Sequence, residues 1–218
     1  MLKRWLPLMG LALTVTACSS ASRTSVDRVT GGFPPFDQLQ KVKLGMQARD
    51  LLRARPQAQP EGYVGYRETV DGYLVDYLVP GSYSEEREVP AGARVTGVTA
   101  TRRFLTRSAA SEAWRKAVTT VRPELGGTRL QCFGVTGGSA PGKVAVWKGG
   151  RTQLVINTYA PHTQRHAGGS TSEPASLIAE LRREGLATYV LNKIREDGRQ
   201  SGPRRVPEPC PGPTETTH

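Results

Sequence analysis

GYVGYRETVDGYLVDYLV, residues 62–79, is the stretch on which the fold turns. Asp71-Gly72 stands between two β-rich runs, Gly62 to Val70 and Tyr73 to Val79. Both turn residues accept the positive φ that a two-residue hairpin loop demands. In the second run Tyr73, Val75, Tyr77 and Val79 alternate with Leu74, Asp76 and Leu78. One face is therefore aromatic and β-branched and the other mixed. Upstream, Ala48, Leu51, Leu52 and Arg55 fall at i, i+3, i+4 and i+7, a short helix that stops at Pro56. Downstream, past a polar loop with Pro80-Gly81 and Glu85-Glu86-Arg87, Ala93 to Phe104 reads as a third strand.

The order then repeats. Trp114, Ala117, Val118 and Val121 form an apolar helical stripe, with Ser108 as the expected N-cap and Pro123 with Gly126-Gly127 as the stop. Arg129 to Val135, Lys143 to Lys148 and Gln153 to Tyr159 read as strands, punctuated by Gly137-Gly138 and Gly149-Gly150. A Gly/Ser/Thr-rich loop, 161–172, leads to an expected final helix over 173–196. Ser172 would cap it, Glu173 and Pro174 suit its first turn, and Leu177, Ile178, Leu181, Tyr189, Val190 and Ile194 would line one side. The fold class expected is α+β: two layers, helix on antiparallel sheet, as two helix-strand-strand-strand units (36–104 and 108–160) plus a C-terminal helix. These make one tandem domain over 36–198, and 199–218 is a Pro-rich, irregular tail.

The N-terminus reads as a secretory signal over residues 1–17. Lys3 and Arg4 give the positive region, and Leu6 to Val15 is apolar but too short to span a bilayer permanently. Val15-Thr16-Ala17-Cys18 resembles a bacterial lipobox. That resemblance implies a diacylglycerol on the Cys18 sulfur, cleavage before it and acylation of the new amine, so that acyl chains hold the protein to a membrane. An ordinary signal peptide with a chance cysteine is the alternative. Ser19, where an Asp would retain a lipoprotein in the inner membrane, resembles the outer-membrane sorting default. Residues 18–35, rich in Ser, Thr, Arg and Gly, form the expected tether.

Cys132 and Cys210 are then the remaining cysteines. In an exported protein such a pair is expected to be a disulfide rather than two free thiols. Too few other ligands lie near them for a metal. The formal charge is +11, of which Lys3 and Arg4 contribute two, leaving +9 on the mature chain. This balance suits acidic partners such as anionic headgroups or an acidic protein face. Nucleic acid fits poorly, because no basic run is interleaved with aromatics and the chain is exported.

Val42-Lys43-Leu44-Gly45-Met46, followed by Ala48, Leu51, Leu52 and Pro56, resembles the opening of the BamE (SmpA/OmlA) family of small lipoproteins. Its tandem arrangement resembles that of β-lactamase inhibitor protein. The likeness covers residues 40–100 and is only architectural over 108–160. It departs in three places: the second half lacks the Gly-Met turn, the first helix ends in Arg-Ala-Arg-Pro, and the final helix is extra. The resemblance implies a protein that binds proteins and performs no chemistry.

Residues that could carry chemistry are sparse. His162 and His166 are four apart, which on a helix would face one metal, but they fall between Pro161 and Gly168-Gly169 in an expected loop. Glu85, Glu86 and Glu88 read as a solvated face, and no nucleophile elbow, Walker loop or zinc helix occurs. No catalytic residue, metal, cofactor or small-molecule substrate is expected. Tyr63, Tyr66, Tyr73 and Tyr77 lie on adjacent hairpin strands, where they form either an exposed face for a protein partner or part of the core. The expected role is a non-catalytic adaptor or scaffold, anchored to the outer membrane, facing the periplasm and binding an envelope protein. The alternatives are an inhibitor or immunity lipoprotein and a cell-envelope hydrolase.

Overall fold

The computed structural model describes residues 28–30, 42–61, 65–80, 90, 92–124, 129–136, 141–149, 152–166, 168–183 and 204–212. The expected signal, Cys18, most of the tether, Tyr63, the Glu85–Glu88 loop, residues 184–198 and His218 lie outside them.

The chain is mostly β, and the expected α+β class with three helices is corrected accordingly. Two helices occur among the described residues, α1 (Ala48–Ala54) and α2 (Arg107–Thr120). The strands are β1 (Arg28–Thr30), β2 (Gln59–Glu61), β3 (Gly65–Val70), β4 (Tyr73–Leu78), β5 (Gly97–Phe104), β6 (Arg122–Glu124), β7 (Arg129–Thr136), β8 (Pro141–Gly149), β9 (Thr152–Tyr159), β10 (His162–His166), β11 (Gly169–Glu173), β12 (Ala175–Arg183) and β13 (Arg204–Pro207). Nine of them make one antiparallel sheet in the order β13-β7-β8-β9-β12-β5-β4-β3-β2. Two small antiparallel pairs, β1 with β6 and β10 with β11, stand apart from it.

The central correction concerns β12. The segment expected to open a third helix is the middle strand of the sheet, paired with β9 on one side and β5 on the other. Leu177, Ile178 and Leu181 fit a helical stripe, but Ala175, Leu177, Ala179 and Leu181 also alternate with Ser176, Ile178, Glu180 and Arg182. The first set is buried, so period two is the one realised. Ala, Leu and Glu favour helices, yet two open strand edges offer this segment a full set of backbone hydrogen bonds, and that tertiary context overrides weak local propensity. Because β12 joins the last strands of the two halves, there are not two separate small sheets but one.

Other differences are local. The N-cap of α2 is Thr106, whose Oγ1 accepts from the Ala109 N–H at 3.2 Å, not Ser108. Residues 161–172, expected as a loop, contribute to the β10–β11 pair. Residues 28–30 of the expected tether are strand β1. Within the expected irregular tail, β13 closes one edge of the sheet against β7.

The hairpin turn is built as its sequence demands. Asp71 has φ +49 and Gly72 φ +76, which places β3 and β4 in direct antiparallel register. The Gly45-Met46 turn also exists. Gly45 takes φ +90, its N–H donates to the Val95 carbonyl at 2.7 Å, and the Val95 N–H donates back to Met46. This fastens the start of α1 to the strand side of the domain.

Both helices contribute to a single core on one face of the sheet. Leu51 of α1 and Trp114, Ala117 and Val118 of α2 cluster with Val75, Tyr77, Val98, Leu154, Ile156 and Leu177. The Trp114 indole N–H donates to the Ile156 carbonyl at 2.9 Å, so this large side chain is buried with its polar atom satisfied. Cys132 and Cys210 form a disulfide, closing a separation of 78 residues and pinning the chain beyond β13 to β7. Among the described residues no helix is long and apolar enough to cross a membrane.

Candidate interaction face

Period-two alternation assigns each strand residue to the helix side or the far side. Tyr66, Tyr73 and Tyr77 fall on the helix side and are buried, so of the two readings open for these tyrosines they take the core one rather than an exposed face; Tyr63 lies outside the described residues. Tyr77 is tied into a charged cluster. Arg55, at the C-terminus of α1, donates to Glu68 through Nε at 2.6 Å and Nη2 at 2.9 Å, and the Tyr77 hydroxyl makes a short hydrogen bond to the same carboxylate. Burial, reinforced by the Glu68 charge, pushes the Tyr77 phenol well above the ordinary tyrosine range. The cluster satisfies every charge it buries and joins α1 to β3 and β4.

The far side divides in two. Across β7, β8 and β9 it is apolar and buried: Phe133, Val135, Val144, Val146 and Val155 cluster, with Tyr159 against them and the Arg205 guanidinium 4.9 Å from the Phe133 ring centre. This explains why nearly every residue of β9 is buried. Across β3, β4, β5 and β12 the far side is more exposed, except at the buried Glu180. Leu74 is 39% exposed. Leu78, Ile178, Thr99 and Thr101 are half-buried, and Thr69 is exposed. These are the partners of the mixed face legible in Leu74, Asp76 and Leu78. Arg67 organises its outer edge, with Nε 2.6 Å from Asp76 Oδ1 and Nη1 3.3 Å from Glu61 Oε2.

A buried polar island marks the border between the halves. Asn157 of β9 lies opposite Ile178 of β12, and Glu180 lies between Val155 and Thr99 in the register. Asn157 is fully buried, and neither amide atom has a hydrogen-bond partner among the described residues. Glu180 accepts from Arg182 Nη2 at 2.7 Å through Oε1, while its Oε2 and the Arg182 Nε have no such partner. Burial raises the Glu180 carboxyl above the usual glutamate range, against the pull of Arg182. Buried polar atoms left unpaired weaken a fold, and those of Asn157, Glu180 and Arg182 lie together at this border. Sequence reading missed them. Asn157 directly follows Leu154, Val155 and Ile156, the apolar run of β9, a usable signal, whereas Glu180 was hidden by the helical reading of its segment.

The two histidines of the 161–172 segment do not converge on a metal site. His162 and His166 lie on one strand, β10, where residues four apart are separated by roughly 13 Å, too far to share an ion. His162 pairs across the hairpin with Glu173. Among the described residues no group of three or more His, Cys, Asp and Glu could hold a metal. The more exposed half of the far face carries an exposed leucine, half-buried aliphatics and threonines, and the Arg67 ion pairs to Asp76 and Glu61. No protein-family model, curated protein or solved structure matches this chain.

Proposed function

We propose that this protein is a lipid-anchored envelope protein, non-catalytic, that binds another envelope protein through the open far face of its sheet. The observation that carries the reading is that face itself. Leu74, Leu78 and Ile178 stand among Thr99, Thr101, Arg67 and Asp76 on a sheet whose opposite side is filled by the core. Apolar centres framed by fixed polar groups are what protein interfaces use. The Cys132–Cys210 disulfide supports an oxidising compartment outside the cytoplasm, as the lipobox-like segment at Cys18 does. Anchorage by Cys18 would hold the domain at the outer membrane.

Photo-crosslinking residues placed at Leu74, Thr101 and Ile178 test the interface in intact cells, with Lys116 on α2 as control. The reading expects one adduct of the same mass from all three sheet positions and none from Lys116. Absence of an adduct, or equal adducts from all four, overturns it. Mass spectrometry of the residue 18 peptide tests the anchor separately.

A further inference from the structure

The most exposed large apolar side chain among the described residues is Leu105, at 98%, in the turn between β5 and α2. It is no loose tip. The residue before it, Phe104, pairs with Ala175 in the sheet and packs against the core. The residue after it, Thr106, caps α2. The backbone is therefore fixed on both sides, and Leu105 is held out in water by the fold.

Its neighbours in sequence are Arg102, Arg103 and Arg107, all exposed. The Arg102 guanidinium lies 5.4 Å from the ring centres of both Tyr73 and Phe104, so it is positioned rather than free-swinging. None of the three arginines forms a salt bridge with a carboxylate among the described residues. Strand alternation sends Arg102 and Arg103 to opposite faces of the sheet, and Arg107 continues into α2. One exposed apolar point at the end of the sheet is thus flanked in sequence by exposed cations on both sides.

We infer that this turn is a membrane-contact point: Leu105 enters the headgroup layer of an anionic bilayer while Arg102, Arg103 and Arg107 meet lipid phosphates. A headgroup layer is deformable and anionic, and so suits a single exposed apolar side chain flanked by cations. Arginine suits phosphate through paired N–H donors. Interfacial binding of this kind combines buried apolar surface with attraction to anionic lipid. The inference stands on the turn alone and does not require the lipid on Cys18. With that lipid present, a second point of contact would orient the domain against the bilayer.

The mature protein as isolated from its cells, carrying Leu105→Trp, is combined with vesicles of phosphatidylglycerol or phosphatidylcholine bearing bromine on their acyl chains. A Lys116→Trp protein is the control. In phosphatidylglycerol the emission of Trp at 105 shifts to the blue and is quenched, while the control is unchanged. High salt reverses the effect, and each arginine changed to glutamine weakens association about fivefold. Emission at 105 that stays water-like on phosphatidylglycerol overturns the inference, as does protection supplied by an acidic protein instead of lipid. Near-UV circular dichroism verifies the fold of each variant. The mass of the residue 18 peptide reports lipidation independently, so the anchor and the contact point can fail separately.

Discussion

Removing the guanidinium of Arg55 is the most direct test of how α1 is held. The Glu68 side chain is only 3% exposed and that of Arg55 19%, and the two share hydrogen bonds of 2.6 and 2.9 Å. Arg55→Met leaves a buried carboxylate with the Tyr77 hydroxyl as its remaining partner. Breaking one side of a buried pair costs about 3–5 kcal/mol, far more than losing an exposed bridge. Arg55→Met with Glu68→Leu removes both charges, and the double variant is expected to recover to within about 1–2 kcal/mol of the parent. Urea unfolding followed by far-UV circular dichroism gives each value, and a double-mutant cycle isolates the coupling. Hydrogen exchange on α1 distinguishes local detachment from global loss. A cost below about 1 kcal/mol for Arg55→Met, or a double variant no more stable than the two singles summed, would refute the reasoning.

Cys210→Ser opens a loop of 78 residues and is expected to cost about 4–5 kcal/mol in the chain-entropy account, lowering Tm by on the order of 10 °C. Calorimetry checks this, and equal Tm with and without reductant would contradict it. Burial raises the phenols of Tyr66, Tyr73 and Tyr77, so above pH about 10 the unfolded chain releases protons that the folded chain keeps. Stability must then fall as pH rises, and Tyr77→Phe removes a share of that slope worth about 1.4 kcal/mol per pH unit. For Glu180 the folded value is also raised, so its contribution is present below the unfolded glutamate value and is lost as pH rises through the folded one. Glu180→Gln therefore flattens stability between acid and neutral pH; an unchanged profile in urea titrations would show that burial there is not what it is taken to be.

Local chemistry was legible wherever a short stretch admits one solution. Asp71-Gly72 specifies its turn because few residues tolerate two successive positive φ values, and Gly45 does the same for the turn into α1. Trp114, Ala117 and Val118 mark the buried stripe of α2. Counting, together with the expectation of export, favoured pairing Cys132 with Cys210 without deciding it. The tyrosines show the limit: alternation placed Tyr73 and Tyr77 on one face of a strand, but which face the helices would cover is not written in a strand's own residues.

The sequence by itself determined the turns, both helices and most strand periods, because each depends on residues close together; the cysteine pair it only favoured, and the structure forms it. The tertiary structure alone decided that Ala175–Arg183 is the central strand, that the two halves share one sheet, and that Asn157, Glu180 and Leu105 occupy unusual environments. A segment that fits both periods has no local preference strong enough to choose. The choice goes to whichever conformation satisfies the backbone groups of its neighbours, and those neighbours, β5 and β9, lie far away in the chain.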